Sequence, residues 1–118
     1  MLELAHKKLD VWIASTELVK EIYSVTKFFP KEELFGITSQ LRRASVSVVS
    51  NLSEGLARYS DNEKKRFLEI ARSSLVEIDA QIELATQLDF CSKAQIRVID
   101  ELLNRNFAML TNLVKKYS

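Results

Sequence analysis

The sequence predicts an all-α fold, an antiparallel up-down-up-down four-helix bundle. Three observations predict it. Apolar residues recur at spacings of three and four in four separate stretches. Only two glycines and one proline punctuate the 118 residues, too few for the turns of an all-β chain. Two capping boxes, Ser60-Asp61-Asn62-Glu63 and Ser92-Lys93-Ala94-Gln95, sit just before two of the periodic stretches.

The first helix is expected over 10–28. Val11, Ala14, Leu18, Ile22, Val25 and Phe29 form its core stripe, widened by Trp12, Val19 and Tyr23. Asp10 is a candidate N-cap. Pro30 ends the helix, because the residue before proline avoids the α region. Residues 1–8 read as a charged, frayed lead-in. Lys31 to Gly36 reads as a connector with room for one helical turn.

The second helix, expected over 37–58, is the least ordinary stretch. On a wheel advancing 100° per residue, Ile37, Leu41, Ala44, Val48, Leu52 and Gly55 share one core-facing arc. Gln40, Arg43, Ser47, Ser50, Asn51, Glu54 and Arg58 share a second arc. Val46 and Val49 lie in a third sector with Arg42 and Ser53. Two apolar sides imply more than one neighbour. The polar arc reads either as a solvated face or as a buried or interfacial polar network. Serine and asparagine compete with the helix for backbone hydrogen bonds, so four serines and one asparagine within Ser45 to Ser53 favour groups that need partners.

The third helix is expected over 61–88, with Phe67, Ala71, Ser74, Ile78, Ile82 and Ala85 as its stripe and Leu75 beside it. Asp61 and Glu63 suit the positive end of its dipole. The fourth is expected over 93–117, with Ile96, Ile99, Leu103, Phe107, Leu110, Val114 and Tyr117. Lys115 and Lys116 suit its negative end. If the turn between the second and third helices centres near residue 60, Arg43 faces Glu77, and an ion pair between them is expected.

The composition describes one ordinary domain, 47% hydrophobic and 28% charged. A net charge of +1 gives no global field to draw in nucleic acid or an acidic membrane. No apolar run approaches a bilayer span, and Met1 to Lys8 lacks the apolar core of a signal peptide. With a single cysteine, Cys91, no internal disulfide can form, so the expected location is cytoplasmic.

Residue types that carry catalysis or bind metal do not converge. His6 is the only histidine and is expected on the surface; the paired Glu-x-x-His motifs of a di-metal bundle are missing. Cys91 has no histidine partner for a nucleophilic dyad. Gly36 and Gly55 alone cannot build a phosphate-cradling loop. Glu32 and Glu33, adjacent on a connector, define no acid/base geometry. No enzymatic activity, cofactor or metal is therefore expected. Arg58, Lys64, Lys65 and Arg66 flank one turn and form a candidate basic rim, with nearby Asp61, Glu63 and Glu69 reducing its field.

The chain resembles a known family. The carrying residues are Leu9-Asp10-Val11-Trp12, Ile22-Tyr23, Phe29-Pro30, Glu33 and Gly36-Ile37-Thr38-Ser39-Gln40. They continue through Leu41-Arg42-Arg43-Ala44, Ser47, Asn51 and Glu54-Gly55, then Arg66-Phe67-Leu68-Glu69-Ile70-Ala71 and Ser74-Leu75-Val76-Glu77. This pattern resembles the proteins encoded by an intervening sequence of bacterial 23S ribosomal RNA genes, four-helix-bundle proteins of mostly unassigned function. The resemblance implies assembly into a ring, typically a homopentamer. A related branch serves as the accessory protein of diversity-generating retroelements and is linked to nucleic acid; those relatives are markedly more basic. Members often carry proline where this chain has Val49, so a straighter second helix is expected here.

Two functional readings follow. The first is a non-enzymatic self-assembling scaffold or adaptor, a homo-oligomer able to dock a protein partner. Its candidate polar network is Gln40, Arg43, Ser47, Asn51, Glu54 and Glu77. Its candidate interface is Val46, Val49 and Ser53 on one surface, with Trp12, Tyr23 or Met109 as anchors on another. The alternative is a nucleic-acid-binding accessory protein that uses the basic rim.

Overall fold

A computed structural model describes residues 1–118. Four α-helices carry the fold: α1 (Asp10–Thr26), α2 (Ile37–Ala57), α3 (Asp61–Gln87) and α4 (Arg97–Lys116). Single 3-10 turns occupy Ala5–Lys8 in the lead-in and Lys31–Glu33 in the connector. There are no strands.

Cross-helix hydrogen bonds fix the directions. Gln81 bonds Gln40 and Ser74 bonds Ser47, so α3 runs back along α2. Trp12 bonds Ser53 and Arg42 bonds Thr26, which sets α2 against α1. Arg72 bonds Thr111 while Lys64 sits over Tyr117, which sets α4 against α3. Asn106 reaches the Ala14 carbonyl and closes the square from α4 to α1.

The four stripes meet in one core. Leu18, Ile22, Leu41, Leu52, Leu68, Leu75, Ile78, Ile99 and Leu110 are fully buried there. This is the hydrophobic effect acting on residues that helical periodicity has already placed on one side. Leu68, Leu102 and Asn106 are buried outside the expected stripes, because a helix at the corner of a square faces two neighbours.

The pair α2 and α3 packs most extensively, and Gly55 shows why. A Cβ there would lie 3.0 Å from Phe67 Cβ and 3.2 Å from the Lys64 carbonyl oxygen. α2 runs unbroken through Val49, the position at which a proline would remove a backbone donor.

The helix ends depart from the sequence expectation in three places. Asp10 is the first helical residue rather than the cap; Leu9 precedes it with no capping side chain, and Asp10 contributes only its charge near the dipole. Ser60 caps α3 by accepting from the Glu63 amide at 3.1 Å, but Glu63 turns its carboxylate to Arg66 instead of reaching back. The box at Ser92 does form in both directions, with Ser92 N–H donating to Gln95 Oε1 and Gln95 N–H donating to Ser92 Oγ. It closes one turn ahead of α4, because Ile96, at φ −98° and ψ 6°, leaves α geometry before the helix proper begins.

Candidate functional site

A cleft of about 930 Å³ lies along the first half of α2. Tyr23 of α1, Leu34 and Phe35 of the connector, and Glu77 of α3 form its edges; Ser39, Gln40, Arg42, Arg43, Val46, Ser47 and Ser50 of α2 form its floor.

Its walls are held in place. α1 ends at Thr26, short of the expected residue 28, and from Pro30 the connector folds into a tight turn in which Glu33 N–H donates to the Pro30 carbonyl at 2.9 Å and Gly36 N–H to the Glu33 carbonyl at 2.9 Å. That turn leaves Phe35 92% exposed and Leu34 half exposed. Arg42 donates through Nε to Thr26 Oγ1 at 3.0 Å, and its guanidinium lies 4.7 Å from the centre of the Tyr23 ring. Arg42 is thereby clamped by a hydrogen bond and a cation–π contact. Arg43, one residue on, is exposed and takes part in none of the chain's four ion pairs.

The expected ion pair between Arg43 and Glu77 does not form. Both residues line the cleft, so the register expectation brought them to the same place. Glu77 accepts instead from Gln81 Nε2 at 3.4 Å, and the same amide donates to Gln40 Oε1 at 3.2 Å. Both charged side chains are exposed, and water solvates each at little cost, so nothing forces them together.

The polar arc of α2 therefore divides. One part is Gln40, Gln81 and Glu77. Another is Ser47, which meets Ser74 at 3.0 Å and receives Asn51 Nδ2 at both its carbonyl (2.9 Å) and its hydroxyl (3.0 Å). Arg43 belongs to neither, and Glu54 pairs with Arg58 at 3.5 Å on the surface. Gln81 and Ser74 are participants that sequence reasoning missed. Their signal was present, since both are polar residues on the buried side of α3.

Of the expected interface residues, Val46 (43% exposed) and Tyr23 (38% exposed) lie together in the cleft. Trp12 and Ser53 do not present free anchors, because the indole N–H donates to Ser53 Oγ at 2.9 Å within the chain. Val49 is half-buried, and Met109 packs against the core.

The four rim cations are each engaged. Arg58 pairs with Glu54, Arg66 with Glu63 at 3.3 Å and Lys65 with Glu69 at 3.9 Å, while Lys64 donates to the carbonyls of Leu56 and Arg58 that end α2. Arg58 and Arg66 also lie over the Phe67 ring, at 4.7 and 4.6 Å. Tyr59 projects fully into solvent beside them.

No three His, Cys, Asp or Glu side chains converge on a point that could hold a metal ion. His6, expected on the surface, is half-buried, with Nε2 enclosed and unpartnered. Burial, aided by the neighbouring Lys7 charge, holds its imidazole below the ordinary value. Cys91 is buried, 3.6 Å from Thr86 Oγ1. No helix is long and apolar enough to cross a membrane.

A family model described as 23S rRNA-intervening sequence protein matches residues 7–112. Among solved structures, a protein with unknown function from the S23 ribosomal protein family of Bacteroides thetaiotaomicron superposes with a TM-score of 0.82. That match is 22% identical and covers 89% of this chain and 98% of the other, a likeness of fold. No curated protein matches the chain.

Proposed function

We propose a role for a chain that belongs to the 23S rRNA-intervening sequence protein family: a non-enzymatic, self-assembling cytoplasmic scaffold whose working form is a homo-oligomeric ring. One observation carries this reading. A single cleft gathers four exposed apolar side chains, Tyr23, Leu34, Phe35 and Val46, around a guanidinium, Arg43, that has no carboxylate partner in its own chain. An exposed apolar cluster rimmed by polar groups is the usual mark of a protein contact. Its parts come from α1, the connector and α2, and internal hydrogen bonds hold them before any partner arrives, which lowers the ordering cost of association.

The number five comes from the family resemblance and not from the helical patterning. A ring requires two different surfaces on each subunit, one meeting the other. Static light scattering at micromolar concentration tests the proposal. A mass near five times 13.5 kDa is expected. A mass of one chain rejects assembly, and a dimer keeps the scaffold while removing the ring.

A second reading, nucleic-acid binding, is favoured by Tyr59, a free aromatic ring between Arg58 and the start of α3, suited to stacking on a base. The neighbouring carboxylates offset the cations there, so the scaffold is the reading adopted. A gel shift of labelled RNA that weakens steeply with salt would reverse that choice.

A further inference from the structure

We infer that Phe35 of one subunit seats in the groove between α3 and α4 of a second copy of this chain. This rests on the assembly proposed above and names its contact.

Phe35 has the properties of an anchor. Its side chain is 92% exposed, yet its backbone stands on a hydrogen-bonded turn between Pro30 and the start of α2. A large apolar ring on a backbone already fixed in place gains on burial and pays only to order its own side chain, which is why aromatic residues concentrate binding energy at interfaces.

The α3–α4 groove has the properties of its socket. Leu75, Val76, Leu103 and Phe107 supply its apolar lining, Asp79 and Asn104 its polar part, and it measures about 250 Å³. A benzene ring fills an apolar cavity of roughly 150 Å³, so a phenyl side chain fits with room for its neighbour Leu34 at the mouth. The cleft beside Phe35 is several times too large to be the socket for a single ring.

Charge agrees with this pairing. Arg42 and Arg43 outweigh Glu77 in the cleft beside Phe35, Asp79 is the charged residue lining the groove, and neither Arg43 nor Asp79 takes part in an ion pair within the chain. Opposite charges flanking an apolar anchor set orientation and raise the rate of encounter.

Knob and groove occupy different surfaces of one subunit. The contact is therefore head-to-tail, the kind that propagates until a ring closes.

The test is a cross-link. A Phe35→Cys, Val76→Cys double variant is treated with a short bis-maleimide at micromolar concentration and run on a denaturing gel. The buried Cys91 of the unmodified protein serves as the background control. The expected result is a ladder of dimers, trimers and higher species from the double variant, and no ladder from either single variant. Light scattering of Phe35→Glu should show the subunit mass, with a helical circular-dichroism spectrum unchanged from that of the unmodified protein. A monomer band from the double variant, when light scattering still shows an oligomer, overturns this contact and leaves the assembly standing. Dimers from Phe35→Cys alone mean a symmetric contact and also overturn it. A monomeric unmodified protein rejects the assembly itself.

Discussion

Trp12 donates its indole N–H to Ser53 Oγ at 2.9 Å, joining the first turn of α1 to the last turns of α2 across 41 residues of sequence. Removing the acceptor leaves a half-buried donor without a protein partner, at a cost of about 1 kcal/mol. Ser53→Ala should lower the melting temperature by roughly 4 °C. Trp12 is the only tryptophan, so its fluorescence reports the change directly. Ser53→Thr, which keeps the hydroxyl, should restore most of the loss. An unchanged melt and spectrum in Ser53→Ala would mean the bond contributes nothing.

The two glycines should behave differently. At Gly55 a new Cβ meets a backbone oxygen and a Cβ of α3, neither of which can yield without moving the helix. Gly55→Ala should cost about 1–3 kcal/mol despite alanine's better helix propensity. At Gly36 the nearest atom is the flexible tip of Glu33, so a side chain there leaves the α2–α3 packing untouched. Urea melts decide it, and an unchanged or raised stability of Gly55→Ala would refute the close approach of α2 to α3.

Asn106 is the one wholly buried amide of α4. Its Nδ2 donates to the Ala14 carbonyl at 3.2 Å and the Leu102 carbonyl at 2.8 Å, while Oδ1 has no partner. Asn106→Asp places a carboxyl there with no cation to meet it. At pH 7 the loss should reach roughly 3–5 kcal/mol, as for an uncompensated buried charge. Burial raises the carboxyl's folded-state value, so the folded protein holds the proton more tightly and the penalty shrinks as pH falls. Denaturant melts at pH 7 and pH 4.5 test both the size and the sign.

Arg43 and Glu77 should prove independent. Each is exposed, and no ion pair joins them. Arg43→Ala and Glu77→Ala should each change stability by less than about 1 kcal/mol. In the double variant the effects should add within about 0.5 kcal/mol. A larger coupling in a thermal double-mutant cycle would show that the pair forms in solution.

His6 should make the protein sensitive to mild acid. Its folded-state value is lowered, first by burial and then by the Lys7 charge. The unfolded chain therefore takes up the proton first. Its contribution is present above the unfolded value of about 6.5 and is lost as pH falls below it. Stability measured from pH 7.5 to 5.5 should decline in the unmodified protein and decline less in His6→Gln. Parallel curves would remove His6 as the cause.

The number of helices, their type and their buried stripes were legible in the sequence. Val11 to Phe29, Leu41 to Gly55 and Phe67 to Ala85 recur at three and four because a helix turns every 3.6 residues whatever surrounds it. Ser60 could be read as a cap for the same reason, since its bond reaches only three residues along the chain. What only the tertiary structure decided were the partners of the polar groups. Arg43 and Glu77 share a cleft without touching, Gln81 bridges Gln40 and Glu77, and Trp12 spends its N–H on Ser53 inside the chain. Each residue along a helix rotates a side chain by about 100°, so a register known to within one residue fixes which helices meet but not which side chains do. The exposure of Phe35 is likewise a property of the folded turn between Pro30 and Gly36, where no periodicity operates and local hydrogen bonds alone set which way a side chain faces.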